Sequence, residues 1–360
     1  MRLALREAKK GLGRTSPNPA VGAVVVSEQG EVVATGFHAR AGGPHAEVVA
    51  LTRAGEAARG ATLYVTLEPC NHTGRTGPCT QAILAAGVRR VVIGMADPNP
   101  HVAGGGAAFL AGCGVEVEEG VLAEECAAIN RPFVKHITTG RPWVLLKAGM
   151  SLDGKLAAAS GHSAWITNEA ARREVHRLRG RSDAILVGRS TAVADDPALT
   201  CRLRRGRDPI RVVLDSRLQL PPTARMLCQD STAPTWVLCT PQAPSAAEAR
   251  LVEAGAEVFR LPADRDGRLD LAAVLDFLGQ RQVTSLLVEG GGEVHTAFLR
   301  AGLADECALF IAPLLLGADG LAFWRGTGAL RVEEGLRLTE VAFRRFGDNI
   351  LVRGRPLPAS

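Results

Sequence analysis

The sequence predicts an α/β fold arranged as two domains. Short apolar runs of strand length alternate with longer stretches of helical spacing, which is typical of strands layered against helices. The 360 residues suit about two domains. The helix breakers Gly140 and Pro142 interrupt the pattern before it restarts on an apolar run at Trp143. We therefore expect domains over 1–141 and 142–360.

The first domain begins with a short amphipathic helix that ends near Gly11. Two prolines in the loop at 15–19 (TSPNP) fix φ and exclude helix. Gly30 turns one apolar strand into its partner strand, and a glycine-rich turn at 104–106 precedes a late helix. These signals predict strands over 20–27, 32–38, 61–67, 90–95 and 115–118, and helices over 45–58, 79–86, 107–111 and 122–137.

The second domain shows the same alternation, with a turn at Gly188 and a glycine triplet at 290–292 that opens a helix. The last two strands form an antiparallel hairpin across Gly347 and Asp348. The pattern predicts strands over 143–149, 184–187, 210–214, 235–239, 256–260, 285–288, 306–312, 337–345 and 349–352, and helices over 168–180, 245–254, 270–279 and 290–299. The sheet is therefore expected to be mixed.

Composition narrows the setting and the partners. The net charge of +5 is modest and no block of like charge occurs, so the charge suits an anionic substrate or cofactor as well as it suits nucleic acid. With the motifs described below, we expect phosphorylated small-molecule substrates and no nucleic acid. No run of 18 apolar residues occurs, so no membrane span is expected. The eight cysteines without an apolar signal segment do not resemble a disulfide framework, and we expect a reducing cytoplasm.

One stretch, from His45 to Cys79, carries metal chemistry. One imidazole and the thiols of Cys70 and Cys79 can hold zinc tetrahedrally with the fourth position open for water. His45 and Cys79 both fall at expected helix starts, where a thiolate is favoured. Glu47 lies in the first turn after His45 and can move protons of that water. This spacing is typical of zinc deaminases that act on cytosine-like or adenine-like rings.

The residues alone leave other interpretations of this stretch open. A structural zinc site would need a fourth ligand, for which His72 is a candidate, and the His-x-Glu pattern could also arise by accident without a metal. The eight-residue loop at 71–78 (NHTGRTGP) is longer than the two residues usual in nucleoside and nucleic-acid deaminases. His72 and Arg75 in this loop can donate hydrogen bonds to a phosphate or a sugar, or can be simply solvated.

A second set of motifs lies in the other domain. It comprises 146–155 (LKAGMSLDGK), 161–167 (GHSAWIT), 188–202 (GRSTAVADDPALTCR) and 287–292 (LVEGGG). A strand that feeds a glycine triplet at a helix start suits a pyrophosphate, although such a triplet can also be a plain turn. The G-x-G-x-x-G spacing and first-strand context are missing, so we reject a Rossmann fold. Arg179 and Arg202 can pair with a phosphate or can be solvated surface residues.

The first half resembles the deaminase half of the RibD family of bifunctional riboflavin-biosynthesis proteins, a cytidine-deaminase-like α/β/α domain. The resemblance is carried by 15–22 (TSPNPAVG), 36–38 (GFH), 43–48 (GPHAEV), 66–79 (TLEPCNHTGRTGPC) and 97–100 (DPNP). It implies zinc on His45, Cys70 and Cys79 with Glu47 as proton shuttle. It also implies substrate contacts from Asn18, His72 and Arg75.

The second half resembles the reductase half of the same family, which is similar to dihydrofolate reductase in fold. The resemblance implies NADPH contacts from Gly149, Trp165, Thr191, Asp195, Ser216, Gly291, Gly292, Glu293, Val294, His295, Thr296 and Ala297. It implies substrate contacts from Ser163, Arg179, Leu199, Arg202 and Glu289. It also implies a homo-oligomer formed through this half.

The expected function is thus twofold. The first domain would deaminate 2,5-diamino-6-(5-phosphoribosylamino)pyrimidin-4(3H)-one with zinc, and the second would reduce the ribosyl group of the product to ribityl with NADPH. One rival hypothesis is a tRNA or nucleoside deaminase with an unrelated appended domain. Another is a zinc- or NADP-binding protein without catalysis. The long inter-cysteine loop and the second motif set disfavour the first, and the intact His-x-Glu with both cysteines disfavours the second.

Overall fold

The computed structural model describes residues 1–72, 77–99, 105–204 and 206–357. The chain divides into two compact units, Met1–Arg141 and Pro142–Ser360. Within the described residues, no helix is both long and apolar enough to cross a bilayer. Both units combine sheets with helices, so the predicted α/β class is confirmed.

The first unit is a five-stranded sheet with helices on both faces. Strand β1 runs antiparallel to β2 and β3, whereas β3, β4 and β5 are parallel, in the order β2-β1-β3-β4-β5. Its elements are α1 (Arg2–Ala8), β1 (Gly22–Val26), β2 (Val32–Phe37), α2 (Ala46–Ala54), β3 (Thr62–Leu67), α3 (Cys79–Ala85), β4 (Arg90–Met95), α4 (Gly106–Gly112), β5 (Glu116–Glu118), α5 (Ala123–Ile129) and α6 (Arg131–Thr139). Short 3₁₀ turns follow α1 and α2, at Lys9–Gly11 and Gly55–Ala58.

Side-chain alternation in these strands explains the layering. Alternate residues of β1, β3 and β4 pack with Ala50 of α2, Ile83 of α3 and Leu110 of α4 in one apolar cluster. Gly36 on β2 allows α2 to lie directly on the sheet, because a Cβ at this position would be 2.4 Å from the Ala46 carbonyl oxygen. The close approach fixes α2, whose first turn carries the expected metal chemistry.

The single helix expected over 122–137 is wrong. The structure has two helices, α5 and α6, separated at Asn130 with φ −109° and ψ 10°. Pro132 lies in the first turn of α6, and proline has no N–H for the carbonyl four residues earlier. The Asn130 side chain instead accepts a hydrogen bond from Ala20 N (2.8 Å) and donates one to Ala20 O (3.1 Å).

The second unit is built on a nine-stranded sheet. It contains β6 (Trp143–Ser151), β7 (Lys155–Ala157), α7 (Glu169–Arg181), β8 (Ala184–Gly188), α8 (Arg189–Asp195), β9 (Ile210–Leu214), α9 (Arg225–Cys228), β10 (Thr235–Cys239), α10 (Ser245–Glu253), β11 (Glu257–Arg260), α11 (Leu271–Gln280), β12 (Ser285–Val288), α12 (Gly292–Arg300), β13 (Glu306–Ala312), β14 (Leu321–Ala322), β15 (Leu338–Phe346) and β16 (Asn349–Pro356). The strand order is β11-β10-β9-β8-β12-β6-β13-β16-β15.

Seven strands, from β11 to β13 in that order, are parallel, and the β15–β16 hairpin adds antiparallel at the β13 edge. The expected mixed sheet and final hairpin are therefore present. Helices α7 to α10 pack on one face and helices α11 and α12 on the other. The carboxyl ends of β6, β8, β9 and β12 consequently meet at one edge, where ligands of such sheets bind.

Three details of the second unit differ from expectation. The turn at Gly188 is the N-terminal cap of a helix, α8. The short antiparallel strand pair β7–β14 and the four-residue helix α9 carry too few residues for a periodic signal. Each of these elements lies in a region whose apolar residues show neither the helical nor the strand period.

Candidate active sites

The metal-ligand candidates of the first unit converge on one point. His45 caps the N-terminus of α2, Cys79 is the first residue of α3, and Cys70 lies in the loop that leaves β3. His45 Nδ1 is 3.2 Å from Cys79 Sγ and 3.5 Å from Cys70 Sγ. All three ligand atoms lie within 4.8 Å of one another, and both cysteines are free thiols.

This donor set fits zinc. Tetrahedral zinc with bonds of about 2.0–2.3 Å separates its nitrogen and sulfur ligands by about 3.5–3.8 Å, close to the spacing of this triangle. Among the described residues, the cluster holds three ligands, and His72 is not one of them. Three protein ligands leave the fourth position open, as in catalytic rather than structural zinc sites.

The environment of Cys70 favours the thiolate. Cys79 N donates to Cys70 Sγ (3.4 Å), so the first amide of α3 points at the sulfur. The hydrogen bond from the Cys79 thiol, with those from His45 and the Cys79 amide, lowers the pKa of Cys70 against the effect of burial. A helix N-terminus stabilises a thiolate in the same way. Cys70 is therefore a ready metal ligand at neutral pH.

Glu47 is the buried carboxylate next to this cluster. It follows His45 by two residues on α2 and is only 3% exposed, and its carboxyl lies beside the Cys79 thiol. Burial raises the pKa of Glu47, against the effects of its own backbone amide and of His45. A carboxyl group with a raised pKa can both take and return a proton, as proton transfer requires.

His38, for which the sequence predicts no role, links Asn18 to the metal cluster. His38 Nε2 is 3.1 Å from Asn18 Nδ2, and His38 Nδ1 is 3.0 Å from the Pro44 carbonyl oxygen. Its ring also meets the His45 ring edge-on at 5.4 Å between centroids. The 36–38 motif gave a signal for His38, but only the structure shows its partners. His38 therefore holds Asn18 beside the metal cluster.

The two residues singled out in the inter-cysteine loop are His72 and Arg75. His72 is exposed and lies close enough to Asp97 for the two side chains to interact electrostatically. Arg75 lies outside the described residues. Glu68, which we had not singled out, accepts hydrogen bonds from Asp97 N (3.1 Å) and Ala107 N (3.1 Å). Glu68 thus ties the loop at 97–99 to the start of α4.

In the second unit, two helix N-termini meet at the carboxyl edge of the sheet. Helix α8 begins after β8 and α12 begins after β12, and these strands are neighbours. No described side chain caps either helix. Gly290 permits this arrangement, because a Cβ there would be 2.6 Å from Cβ of Val294. Unpaired first-turn amides with the helix dipole suit a pyrophosphate, so the edge fits the anionic part of NADPH.

Glu289, directly after β12 at this edge of the sheet, binds the side chains of both Arg179 and Lys147. Its carboxylate accepts from Arg179 Nε (2.8 Å), Arg179 Nη2 (2.9 Å) and Lys147 Nζ (3.3 Å). Burial opposes its ionisation, but the charges of Arg179 and Lys147 outweigh this effect and lower the pKa of Glu289 to about 2. Because Arg179 also donates to Thr200 O (3.2 Å), most of its donors are already engaged.

Other predicted contacts of the second unit lie around the same strand ends. Ser163 Oγ donates to Asp195 Oδ1 (3.1 Å), and Thr191 Oγ1 would be 3.3 Å from a Cβ at Gly291. Trp165 is 73% exposed and stacks on Arg172 at 4.6 Å. Gly149 lies near the end of β6, and Ser216 follows β9, where its carbonyl accepts from Thr240.

The structure limits what some predicted residues can do through their side chains. Leu199, with φ 54°, is buried in the core, so it can offer a ligand only its backbone. His295 and Thr296 lie on the buried face of α12, and burial lowers the pKa of His295 to about 4. Glu293 is exposed, Val294 and Ala297 are half-buried, and the Arg202 side chain is exposed.

Comparison with known families matches both units. Residues 142–352 match the model described as RibD C-terminal domain. Residues 1–95 match that of the cytidine and deoxycytidylate deaminase zinc-binding region.

Full-length relatives agree with these matches. The chain is 43% identical to the riboflavin biosynthesis protein RibD of Aquifex aeolicus over 98% of this chain and 96% of that protein. It is 45% identical to RibD of Escherichia coli over 89% of this chain and 88% of that protein. Relatives of this kind cover both units together.

Solved structures give the same result. Acinetobacter baumannii RibD superposes with a TM-score of 0.88 at 39% identity, covering 99% of this chain and 97% of that chain. A Thermotoga maritima protein, described as a diaminohydroxyphosphoribosylaminopyrimidine deaminase/5-amino-6-(5-phosphoribosylamino)uracil reductase, gives 0.85 at 38% identity with the same coverage. The chain therefore belongs to the RibD family of riboflavin-biosynthesis proteins.

Proposed function

We propose that this chain catalyses two reactions of riboflavin biosynthesis. Its first unit deaminates 2,5-diamino-6-(5-phosphoribosylamino)pyrimidin-4(3H)-one by hydrolysis. Its second unit reduces the ribosyl group of the resulting 5-amino-6-(5-phosphoribosylamino)uracil to ribityl with NADPH. Support comes from the family match over both units and from the name of the T. maritima relative.

In the deaminase unit, His45, Cys70 and Cys79 would hold the zinc ion. When bound, zinc supplies the polarisation that makes water a nucleophile near neutral pH. Glu47 would take one proton from the attacking water and pass it to the ring nitrogen, and would then take the remaining hydroxyl proton and pass it to the amino group, which leaves as ammonia. Asn18, held by His38, would orient the pyrimidine ring. His72 and Arg75 would bind the phosphoribosyl group.

In the reductase unit, the α8 and α12 N-termini would bind the pyrophosphate of NADPH, with Gly149, Trp165, Thr191, Asp195, Ser216 and the 291–297 segment around the rest of the cofactor. When bound, NADPH supplies the hydride. The exposed Arg202 would pair with the substrate phosphate. Arg179 holds Glu289, whose carboxylate lies on the floor of the site and would contact the ribose, and Ser163 and the Leu199 backbone would contact the substrate.

We further propose a cytoplasmic homo-oligomer that forms through the second unit and binds no nucleic acid. Support for the oligomer comes from the edge strand β15, which exposes Val341 and Phe343 and has no partner strand on its outer side among the described residues. Light scattering of the full chain tests the oligomeric state. A monomer at micromolar concentration would contradict it.

The convergence of His45, Cys70 and Cys79 beside the buried Glu47 carries the proposed deaminase activity. The test is ammonia release from the diaminopyrimidine substrate by zinc-loaded protein and by Cys70→Ser, with zinc content measured in both. The expected result is activity in the parent, with loss of zinc and ammonia release together in the variant. Full ammonia release by a zinc-free variant would contradict the proposal.

A further inference from the structure

Three residues on one face of α7 contact the segment 198–202, whose last residue is Arg202. His176, Arg179 and Gly180 are three and four positions apart, so they share a face of the helix. The segment carries the Arg202 guanidinium that the proposed function assigns to the substrate phosphate. How this backbone is held therefore determines where that cation lies.

Each of the three residues makes a distinct contact with the segment. His176 Nδ1 accepts a hydrogen bond from Arg202 N (3.3 Å), and the His176 carbonyl oxygen accepts one from Cys201 Sγ (3.2 Å). Arg179 Nη1 donates to Thr200 O (3.2 Å). A Cβ at Gly180 would be 2.9 Å from Cys201 Sγ, so glycine leaves room for the segment.

The His176 ring must be neutral to make its contact. An imidazole nitrogen can accept the Arg202 amide only when it carries no proton, so the proton lies on Nε2. Burial and the nearby guanidinium groups of Arg179 and Arg202 lower the pKa of His176, against the effects of the Thr200 backbone and of Glu289. The acceptor is therefore available at neutral pH.

The Arg202 side chain is free to meet a ligand. It is exposed, and within the described part of the chain no carboxylate pairs with its guanidinium. Its main-chain amide, in contrast, is bound to His176. The main chain of Arg202 is therefore fixed while its guanidinium group stays exposed, as expected of a residue that binds an anionic ligand.

We propose that His176 is a positioning residue of the reductase, which fixes the backbone at Arg202 and thereby sets the selectivity for the phosphorylated substrate. This inference rests on the proposed function. His176 acts through Arg202 and not on the reacting atoms, so its loss should affect substrate affinity and leave the hydride step unchanged.

The first experiment measures steady-state NADPH oxidation with 5-amino-6-(5-phosphoribosylamino)uracil and with its dephosphorylated analogue. His176→Ala removes the acceptor and keeps good helix propensity. It should raise KM for the phosphorylated substrate about fivefold with kcat within about twofold, the loss expected of one hydrogen bond. KM for the dephosphorylated analogue should not change.

Two further variants on α7 separate positioning from packing. His176→Gln offers an amide oxygen as acceptor and should restore KM to within about twofold of the parent. His176→Leu keeps side-chain volume without an acceptor and should behave as the alanine variant does. Arg173→Leu alters an exposed residue of the same helix, paired only with Glu169 in the described structure, and should leave both KM values unchanged.

A double-mutant cycle with Arg202→Ala gives the decisive result. If His176 acts through Arg202, His176→Ala should add no further rise in KM once Arg202 is alanine. Additive effects, an equal change with both substrates, or an unchanged phosphate preference in His176→Ala would each overturn the inference. A parent enzyme that oxidises NADPH with neither substrate would instead overturn the proposed function.

Discussion

Glu47 is the residue to which we assign the proton transfers of the deaminase. Glu47→Gln keeps the size of the side chain but removes its ability to carry a proton. We expect ammonia release to fall about 10²- to 10⁴-fold, the usual contribution of general acid–base catalysis, while the zinc content stays the same. Parallel metal analysis and ammonia assays check this, and near-parental turnover would remove Glu47 from its assigned role.

Glu289 gives a pH-dependent contribution to the stability of the second unit. Its pKa is lowered to about 2 in the folded protein by Arg179 and Lys147 despite its burial. Because the folded pKa lies below that of the unfolded chain, the stabilisation is present above pH about 4–5 and is lost as the pH falls. The shift corresponds to about 3 kcal/mol.

We therefore expect Glu289→Gln to lower the free energy of unfolding by about 3 kcal/mol at pH 7 and by less as the pH approaches 3. Urea unfolding at several pH values measures this difference. The exposed Glu169 on α7 offers a control, since Glu169→Gln should cost less than about 1 kcal/mol at any pH. A Glu289→Gln deficit that stayed constant from pH 7 to pH 3 would contradict the assignment.

The sequence allowed the prediction of those site residues whose types and spacing carry chemistry. His45, Cys70 and Cys79 are separated by up to 34 positions, yet the helix starts and the strand exit predicted from the sequence bring them together. His38 lies in a sequence motif and His176 in none, but spacing links neither of them to its partners. The contacts with Asn18, Pro44 and Arg202 arise only in the folded chain. Their partners could not be predicted.

At the scale of secondary-structure elements, the break between α5 and α6 is itself a structural device. Asn130 binds both main-chain groups of Ala20, 110 positions away, and so fixes the loop that precedes β1 and contains Asn18. Asn130→Ala would leave a buried N–H and a buried carbonyl unpaired. We expect the free energy of unfolding of the first unit to fall by about 2–4 kcal/mol.

Thermal and urea unfolding of the full chain, with a spectroscopic probe in each unit, would measure the effect of Asn130→Ala on the first unit. A suitable control is Asp270→Ala, which removes the cap of α11 in the second unit and should cost about 1 kcal/mol there. Loss of less than about 0.5 kcal/mol in Asn130→Ala would show that water satisfies the Ala20 groups.

The sequence predicted helices and strands correctly where the apolar residues followed a single helical or strand pattern. The expected strands at 90–95, 210–214, 235–239, 285–288 and 306–312 have the observed bounds. Prediction was wrong at the α5–α6 break and at Gly188, where a local signal competes with a tertiary one. Asn130 is fixed by hydrogen bonds to Ala20, which is distant in sequence. Helix α8 begins at Arg189, directly where strand β8 ends. Single-sequence patterns contain no such information.

For the whole molecule, the two compact units predict separable activities. Each unit has its own sheet and its own apolar cores, so each should fold alone. A 142–360 fragment should oxidise NADPH with the deaminated phosphoribosyl substrate, and a 1–141 fragment should release ammonia without NADPH. Circular dichroism shows whether each fragment folds, and a folded but inactive 142–360 fragment would contradict the assignment of the complete reductase site to that unit.

The most direct test of the account is mass spectrometry of the diaminopyrimidine substrate after incubation with the zinc-loaded full chain, with and without NADPH. We predict one mass change without NADPH, from replacement of an amino group by oxygen, and a second one only with NADPH, from the addition of two hydrogens. Reduction before deamination, or no deamination by zinc-loaded protein, would contradict the claim that the chain performs these two reactions in this order.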